Sequence, residues 1–179
     1  MVTTTPAEPT FIRLSEARLL ESAGALAEVL VDAVEDGASI GFLAPLDPTA
    51  AVAWWREQAP AVAAGTVIIW AAAVDGQLSG TIALKLEDMP NGRHRAEVKK
   101  LMVHRRARRR GLGRQLLTIA EAAAGAAGST LLLLDTQTGS AADALYRAAG
   151  WTAAGVIPDY AADPAGVLQP TTIFYKACR

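Results

Sequence analysis

Apolar side chains recur along this chain in two rhythms. Leu19, Leu20, Ala23, Leu26, Ala27, Leu30 and Val34 fall at helical spacing, with Ser15 placed to cap the start and Gly37 to close the end. Before them, Phe11-Ile12-Arg13-Leu14 alternates enough for a short strand. Ala38 to Leu46 is apolar but aperiodic, a loop composition that predicts a cover over it. Asp47 caps a second predicted helix that carries Trp54 and Trp55 toward Gly65. Thr66 to Val74 reads as a buried strand, Asp75-Gly76 as a tight hairpin turn and Leu78 to Leu86 as its partner. Pro90-Asn91-Gly92 interrupts the chain before a further antiparallel strand, Arg95 to Val103.

The second half changes period. Gln115 to Ala127 is helical, and Thr130 with Leu131 to Leu134 is a run without alternation. Such a run fits a strand buried on both faces and reached by a right-handed crossover. Ser140-x-x-Asp143 reads as a capping box before a helix that Gly150 ends. Trp151 opens another strand, Pro158 to Pro170 reads as a polar loop, and Thr171 to Lys176 as the last strand. The order is β-α-α-β-β-β-α-β-α-β-β, with residues 1–9 a loose tail and 10–179 one domain.

Bulk numbers narrow the classes. The chain has 179 residues, enough for one sizeable core, and is 51% hydrophobic and 20% charged. The apolar stretch around Ala120 to Leu134 is broken by Glu121, Gly125, Gly128 and Ser129, so no membrane span is expected. The N-terminus lacks the basic start and apolar run of a secretion signal. Cys178 is the single cysteine, which excludes an internal disulfide and suggests a reducing, cytoplasmic setting.

The densest chemistry lies between strand and helix, at Val103-His104-Arg105-Arg106-Ala107-Arg108-Arg109-Arg110-Gly111-Leu112-Gly113-Arg114. A strand–glycine loop–helix unit aims backbone N–H groups and the positive helix end at one spot, which suits a phosphate. Gly113 is followed by Arg114-Gln115, so the lysine and magnesium ligand of a Walker loop are missing. Bulky Leu116 occupies the third small position of a dinucleotide fingerprint. A basic turn or nucleic-acid patch is the competing view of five arginines in six positions. Seventeen basic residues against eighteen acidic ones, with the arginines clustered only here, argue against nucleic acid.

Arg108-x-x-Gly111-x-Gly113 resembles the acetyl-CoA pyrophosphate loop of the GNAT acetyltransferases. The resemblance extends through Glu97-Val98-Lys99-Lys100-Leu101-Met102-Val103, the strand Thr130 to Asp135, and Ala144-Leu145-Tyr146-Arg147-Ala148-Ala149-Gly150-Trp151. It implies a single-domain α/β (α+β) fold, a mixed, mostly antiparallel sheet flanked by helices, with a parallel strand pair splayed at the cofactor cleft. It also implies an acetyl-CoA-dependent N-acetyltransferase that uses acetyl-CoA as acetyl donor and no metal. Backbone groups around Leu101, Met102 and Val103 would face the thioester and pantetheine. The N–H groups from Arg109 through Arg110, Gly111, Leu112 and Gly113 to Arg114 would hold the pyrophosphate, with charge added by Arg108 and Arg114. Many relatives carry an asparagine seven residues before the tyrosine; here that position is Gly139, and Ser140 or a water stands in for it.

The chemistry demands a base and an acid. An amine acceptor has a pKa near ~10 and must lose a proton before attack, while the departing thiolate, near ~8.5, leaves better when protonated. Tyr146 matches the family's tyrosine beside the sulfur, its alternative being a packing role. Glu97 and Asp135 compete as base. Asp135 is slightly favoured because it ends a buried strand at the edge where open sheets place ligands; otherwise Glu97 faces solvent and Asp135 forms a turn.

The loop Ala38 to Leu46, the run Leu134 to Gly139 and the tail from Val156 through Asp159 and Tyr160 resemble the tabtoxin-resistance type. That implies a small amine-bearing metabolite or antibiotic as acceptor, with Phe42, Trp54, Trp55, Asp159 and Tyr160 lining its pocket, unless these aromatics simply pack the core. Resistance or detoxification follows only if that acceptor is a toxin. A homodimer is common in the family; no nucleic acid or membrane partner is expected. The alternative class is a non-catalytic module of the same fold that binds coenzyme A or a partner.

Overall fold

Where the two rhythms meet, the chain builds one seven-stranded sheet with helices on both faces. The structure, a computed structural model, describes residues 8–178. Most of the predicted tail therefore lies outside the described residues. In chain order the elements are β1 Thr10–Arg13, α1 Glu16–Glu35, α2 Pro48–Glu57, α3 Ala59–Ala63, β2 Val67–Val74, β3 Gln77–Leu86, β4 Arg95–Val103, α4 Leu112–Ala126, β5 Leu131–Gln137, α5 Ala141–Ala148, β6 Thr152–Ala162 and β7 Leu168–Ala177. A 3-10 turn spans Arg105–Ala107. The strand order is β1-β2-β3-β4-β5-β7-β6, antiparallel except for β4 and β5.

Helix starts fall where the polar caps predict. Ser15 Oγ accepts from the Arg18 amide, Asp47 Oδ1 from Thr49 and Ser140 Oγ from Asp143. The reciprocal half of the capping box is not made, because the Asp143 carboxylate takes Arg147 Nε at 3.0 Å one turn further on. Aspartate is one methylene shorter than the glutamate that usually reaches back. The second predicted helix divides at Gln58. Pro60 has no N–H and its ring opposes the carbonyl four residues earlier, so α2 ends and α3 restarts.

The predicted polar loop Pro158 to Pro170 is a correction. β6 continues to Ala162 and β7 begins at Leu168, leaving only a tight turn. Asp163 organises that turn, Oδ1 accepting from the Ala165 and Val167 amides and Oδ2 from Gln169 Nε2. β6 is an edge strand, exposed from Thr152 to Tyr160, so it carries no apolar alternation and tolerates Pro158.

Two cores sandwich the sheet. α1 contributes fully buried Leu19, Leu26 and Leu30 to one; α4 contributes Leu116, Leu117 and Ala120 to the other. Each such leucine stabilises the fold by about 1.5–3 kcal/mol. These layers hold the feature that matters most. β4 and β5 pair only at Arg95↔Leu131, Ala96↔Leu132 and Glu97↔Leu133. Beyond that, β4 stays on β3 to Gly80↔Val103 and β5 stays on β7 to Gln137↔Thr171. The sheet therefore opens into a cleft between β4 and β5, the splay expected from the family resemblance.

A bulge bends β4 there. The β3–β4 register shifts between Thr81 and Ala83, and Lys100 takes a left-handed φ of 51°. Buried Thr81 donates its hydroxyl to the Lys100 carbonyl at 3.0 Å. Gly80 completes the fit, since a Cβ there would meet the Met102 carbonyl at 3.1 Å.

Candidate active site

The arginine–glycine loop closes one end of the cleft. Arg109 and Gly111 adopt positive φ, 62° and 75°, turning the chain into α4. The first helical bond runs from the Gln115 amide to the Gly111 carbonyl. The amides of Leu112, Gly113 and Arg114 precede it, have no helical acceptor and sit at the positive end of α4. This donor set fits a pyrophosphate. Gly113 has an ordinary φ, and its missing Cβ faces Leu145 and Val103, so it seats α4 closely against β4 and α5.

The arginine side chains are mostly committed elsewhere. Arg105 Nε donates to Asp32 Oδ1 at 2.7 Å and its Nη2 meets Glu35 at 3.1 Å. Arg108 pairs with Asp36 and donates Nε to the Val103 carbonyl. Arg106 donates to the Leu78 carbonyl, Arg114 to the Ala148 carbonyl, and Arg110 lies 3.8 Å from Asp75. Among the described residues, only Arg109 of the run has no side-chain partner. The run thus buckles the loop to the acidic end of α1, where Asp32 is buried. Burial raises the Asp32 pKa, but hydrogen bonds from the Arg105 side chain and backbone outweigh it and hold the carboxyl below its usual range. The expected charge from Arg108 and Arg114 is therefore already bound to protein partners.

Where β4 and β5 are still paired lies a cavity of about 280 Å³, walled by Lys85 to Glu87 at the end of β3 and by Glu97, Leu133, Asp135, Tyr160 and Ile173. Asp135 opens onto it, yet the surrounding protein raises its pKa, chiefly by desolvation and then by the Glu97 charge; Lys99 and Lys100 oppose the shift. Glu97 meets Lys99 at 3.2 Å. Tyr146, 5% exposed, packs against Trp151 and Phe174 at 5.9 and 6.0 Å between ring centres. Burial, and secondarily the Asp135 charge, push its phenol well above the ordinary range, so it stays protonated. A carboxyl raised in this way can accept a proton, and a phenol kept protonated can give one.

The model of the Acetyltransferase (GNAT) family matches residues 28–151. The chain belongs to the GNAT acetyltransferase family. Its members are acyltransferases that use acetyl-CoA, so membership implies acetyl-CoA-dependent acetyl transfer. Solved structures agree on the fold. An N-acetyltransferase from Staphylococcus aureus Mu50 superposes with TM-score 0.79 at 15% identity, over 97% of this chain and 100% of that one. A ribosomal-protein-alanine N-acetyltransferase from Brucella melitensis gives 0.76 at 22%, over 94% and 99%. A Salmonella typhimurium protein described as an acetyltransferase, solved with its cofactor acetyl-CoA, gives 0.76 at 19%, over 97% and 95%.

Within this GNAT chain the residues singled out from sequence separate into groups. Glu97, Asp135 and Tyr160 share the cavity. Leu101, Met102 and Val103 lie on β4 where it has left β5, Met102 buried toward α1. Ser140 is spent on capping α5, its oxygen 3.1 Å from the Asp143 amide. Trp55 is wholly buried and packs with the α1 core, so it lines no open wall. Phe42 and Trp54 stand edge to face at 5.4 Å and enclose the Lys100 ammonium. Asp159 is exposed at a left-handed position in β6, outside the cavity. Lys100, Thr81, Gly80 and Asp32 escape sequence reasoning. Asp32 alone leaves a trace, a charge among the inward positions of an amphipathic helix.

Proposed function

We propose that this GNAT enzyme acetylates the amine of a small molecule by direct attack within a ternary complex. The loop amides from Arg109 to Arg114 hold the pyrophosphate, and the β4 backbone at Leu101, Met102 and Val103 lines the path of the pantetheine and thioester. Asp135, assisted by Glu97, takes the proton of the amine, directly or through water. Tyr146 gives its proton to the coenzyme A sulfur as the C–S bond breaks. Bound acetyl-CoA supplies the activated acyl group.

One observation carries the small-molecule reading. The loop over residues 38–46 is fastened at two points, to the β6–β7 turn and to the β4 bulge beside the open edge of the sheet. Its Ala44 amide donates to the Pro164 carbonyl at 2.9 Å, and the Lys100 ammonium donates to the Ile40 carbonyl. Separately, the cavity beside Asp135 and Glu97 holds only about 280 Å³, which suits a compact amine better than a threaded peptide end. The Brucella neighbour's protein substrate supplies the competing reading. A thiol-release assay with acetyl-CoA decides between them. Amino acids, β-lactam amino acids and polyamines are run beside a peptide beginning with alanine. Turnover with a free small amine alone is expected; turnover confined to the peptide rejects the proposal.

A further inference from the structure

The cleft carries a lysine that the mechanism does not use. Lys100 sits at the β4 bulge with a left-handed backbone, a conformation costly for any side-chain-bearing residue. Its carbonyl is fixed by Thr81, while its side chain crosses to the α1–α2 loop. The ammonium donates to the Ile40 carbonyl and lies 5.3 Å from the centres of both the Phe42 and Trp54 rings. Gly41 gives it room, since a Cβ at that residue would lie 3.4 Å from Nζ. Carbonyl and paired aromatic faces together form a receptor for a cation. Across the same loop, Ala44 and Ser39 bond to the Pro164 and Ala162 carbonyls of the β6–β7 turn.

We propose that Lys100 is a positioning residue: an ammonium strap that ties the 38–46 loop to β4 where β4 has left β5, and so keeps water from the thioester bound there. The loop is apolar and aperiodic and carries no ionisable side chain, so nothing in its own composition fixes it. Leu43 at its tip is 58% exposed, which corrects the expectation of a fully covered loop. The strap rather than a covering element defines its position. Because Lys100 forms part of the β3–β4 bulge and lies beyond the last β4–β5 pair, one residue joins the open edge of β4 to the 38–46 loop. The proposal rests on the acyl-transfer reading of this cleft.

The strap holds only while charged. Burial lowers the Lys100 pKa first, Lys99 lowers it further, and Asp135 and Glu97 raise it in part. The loop should therefore loosen as pH rises toward a value below that of a free lysine. Trp54 reports this, being half-buried while Trp55, Trp70 and Trp151 are buried.

The test compares wild type, Lys100→Met and Lys100→Arg. Acrylamide quenching of tryptophan fluorescence should rise with pH at values below the ~10.4 of a free lysine in wild type, stay low in Lys100→Arg and be high throughout in Lys100→Met. Amide exchange over residues 38–46 at fixed pH should accelerate roughly tenfold in Lys100→Met alone. Thiol release from acetyl-CoA without acceptor should increase several-fold in Lys100→Met and not in Lys100→Arg. Identical quenching and exchange in all three proteins overturn the strap. If Lys100→Met does not fold, the wild-type pH response against the flat Lys100→Arg response still decides. Calorimetry with acetyl-CoA on wild type is read separately. Absence of binding there removes the acyl-transfer reading, while the loop measurements judge the strap.

Discussion

Asp135 opens onto the cavity while Tyr146 is buried in the core, yet desolvation raises the pKa of both. In the proposed mechanism that shift makes the carboxyl a better base and keeps the phenol protonated as a donor. Tyr146→Phe keeps the packing against Trp151 and Phe174 and removes only the proton, so kcat should fall about 10²–10³-fold with acetyl-CoA affinity retained. Thiol release and calorimetry read the two quantities. For Asp135 the pH sign is definite. The basic form is the active one, so kcat/KM should rise with pH through a pKa above the ~3.9 of a free aspartate. Stability runs the other way, because a raised carboxyl pKa stabilises the fold at low pH and the benefit is lost as pH climbs through it. Asp135→Asn should therefore abolish the acid limb of the rate profile while leaving Tm at neutral pH unchanged or slightly higher. A lowered Tm with an intact acid limb would mark Asp135 as structural. Both residues are legible in the sequence because each closes a recognisable local pattern. Lys100 is not, since a bulge and the loop across from it are long-range facts.

The loop between β4 and α4 depends on two supports that act through geometry. Gly111 stands at φ 75°, and an alanine there costs about 1–2 kcal/mol of backbone strain. Gly111→Ala should weaken acetyl-CoA roughly tenfold by turning the free amides of Leu112 to Arg114 away. The buckle to α1 is the other support. Asp32→Asn removes the charge that Arg105 bonds twice, and after solvent screening at Arg105 the expected cost is about 1–2 kcal/mol. Because the Asp32 pKa is lowered, its contribution is full above the unfolded value and fades as pH falls through the folded one. Thermal denaturation from pH 7 down to about pH 3 should show wild type and Asp32→Asn converging. Parallel curves would contradict the buckle. Helices and inner strands follow from the apolar period because each buries one stripe or both faces. The β6–β7 hairpin does not, since an edge strand exposed on both sides has no period to display.

Across the whole molecule, the charge distribution separates the two views of the arginine run. Net charge is −1, and Arg105, Arg108 and Arg110 each face an acidic partner, so little basic surface remains for a polyanion. Duplex DNA should show no saturable binding near physiological salt, whereas a nucleic-acid site would bind with an affinity falling steeply as salt rises. The splayed sheet is the feature that brings together the arginine–glycine loop, the β4 bulge and the Asp135 cavity. Its parallel pair was readable from the unbroken apolar run before Asp135, but its opening depends on Thr81, Gly80 and Lys100 acting across two strands.

A crystal structure with acetyl-CoA bound decides whether the opened β4–β5 edge is the acyl site. The pyrophosphate should lie within hydrogen-bond distance of the Leu112, Gly113 and Arg114 amides. The thioester should lie between β4 and β5, beside Leu101 to Val103, with its carbonyl carbon open toward Asp135 and its sulfur toward Tyr146. A pyrophosphate bound away from α4, or a thioester closed off from the Asp135 cavity, would contradict it.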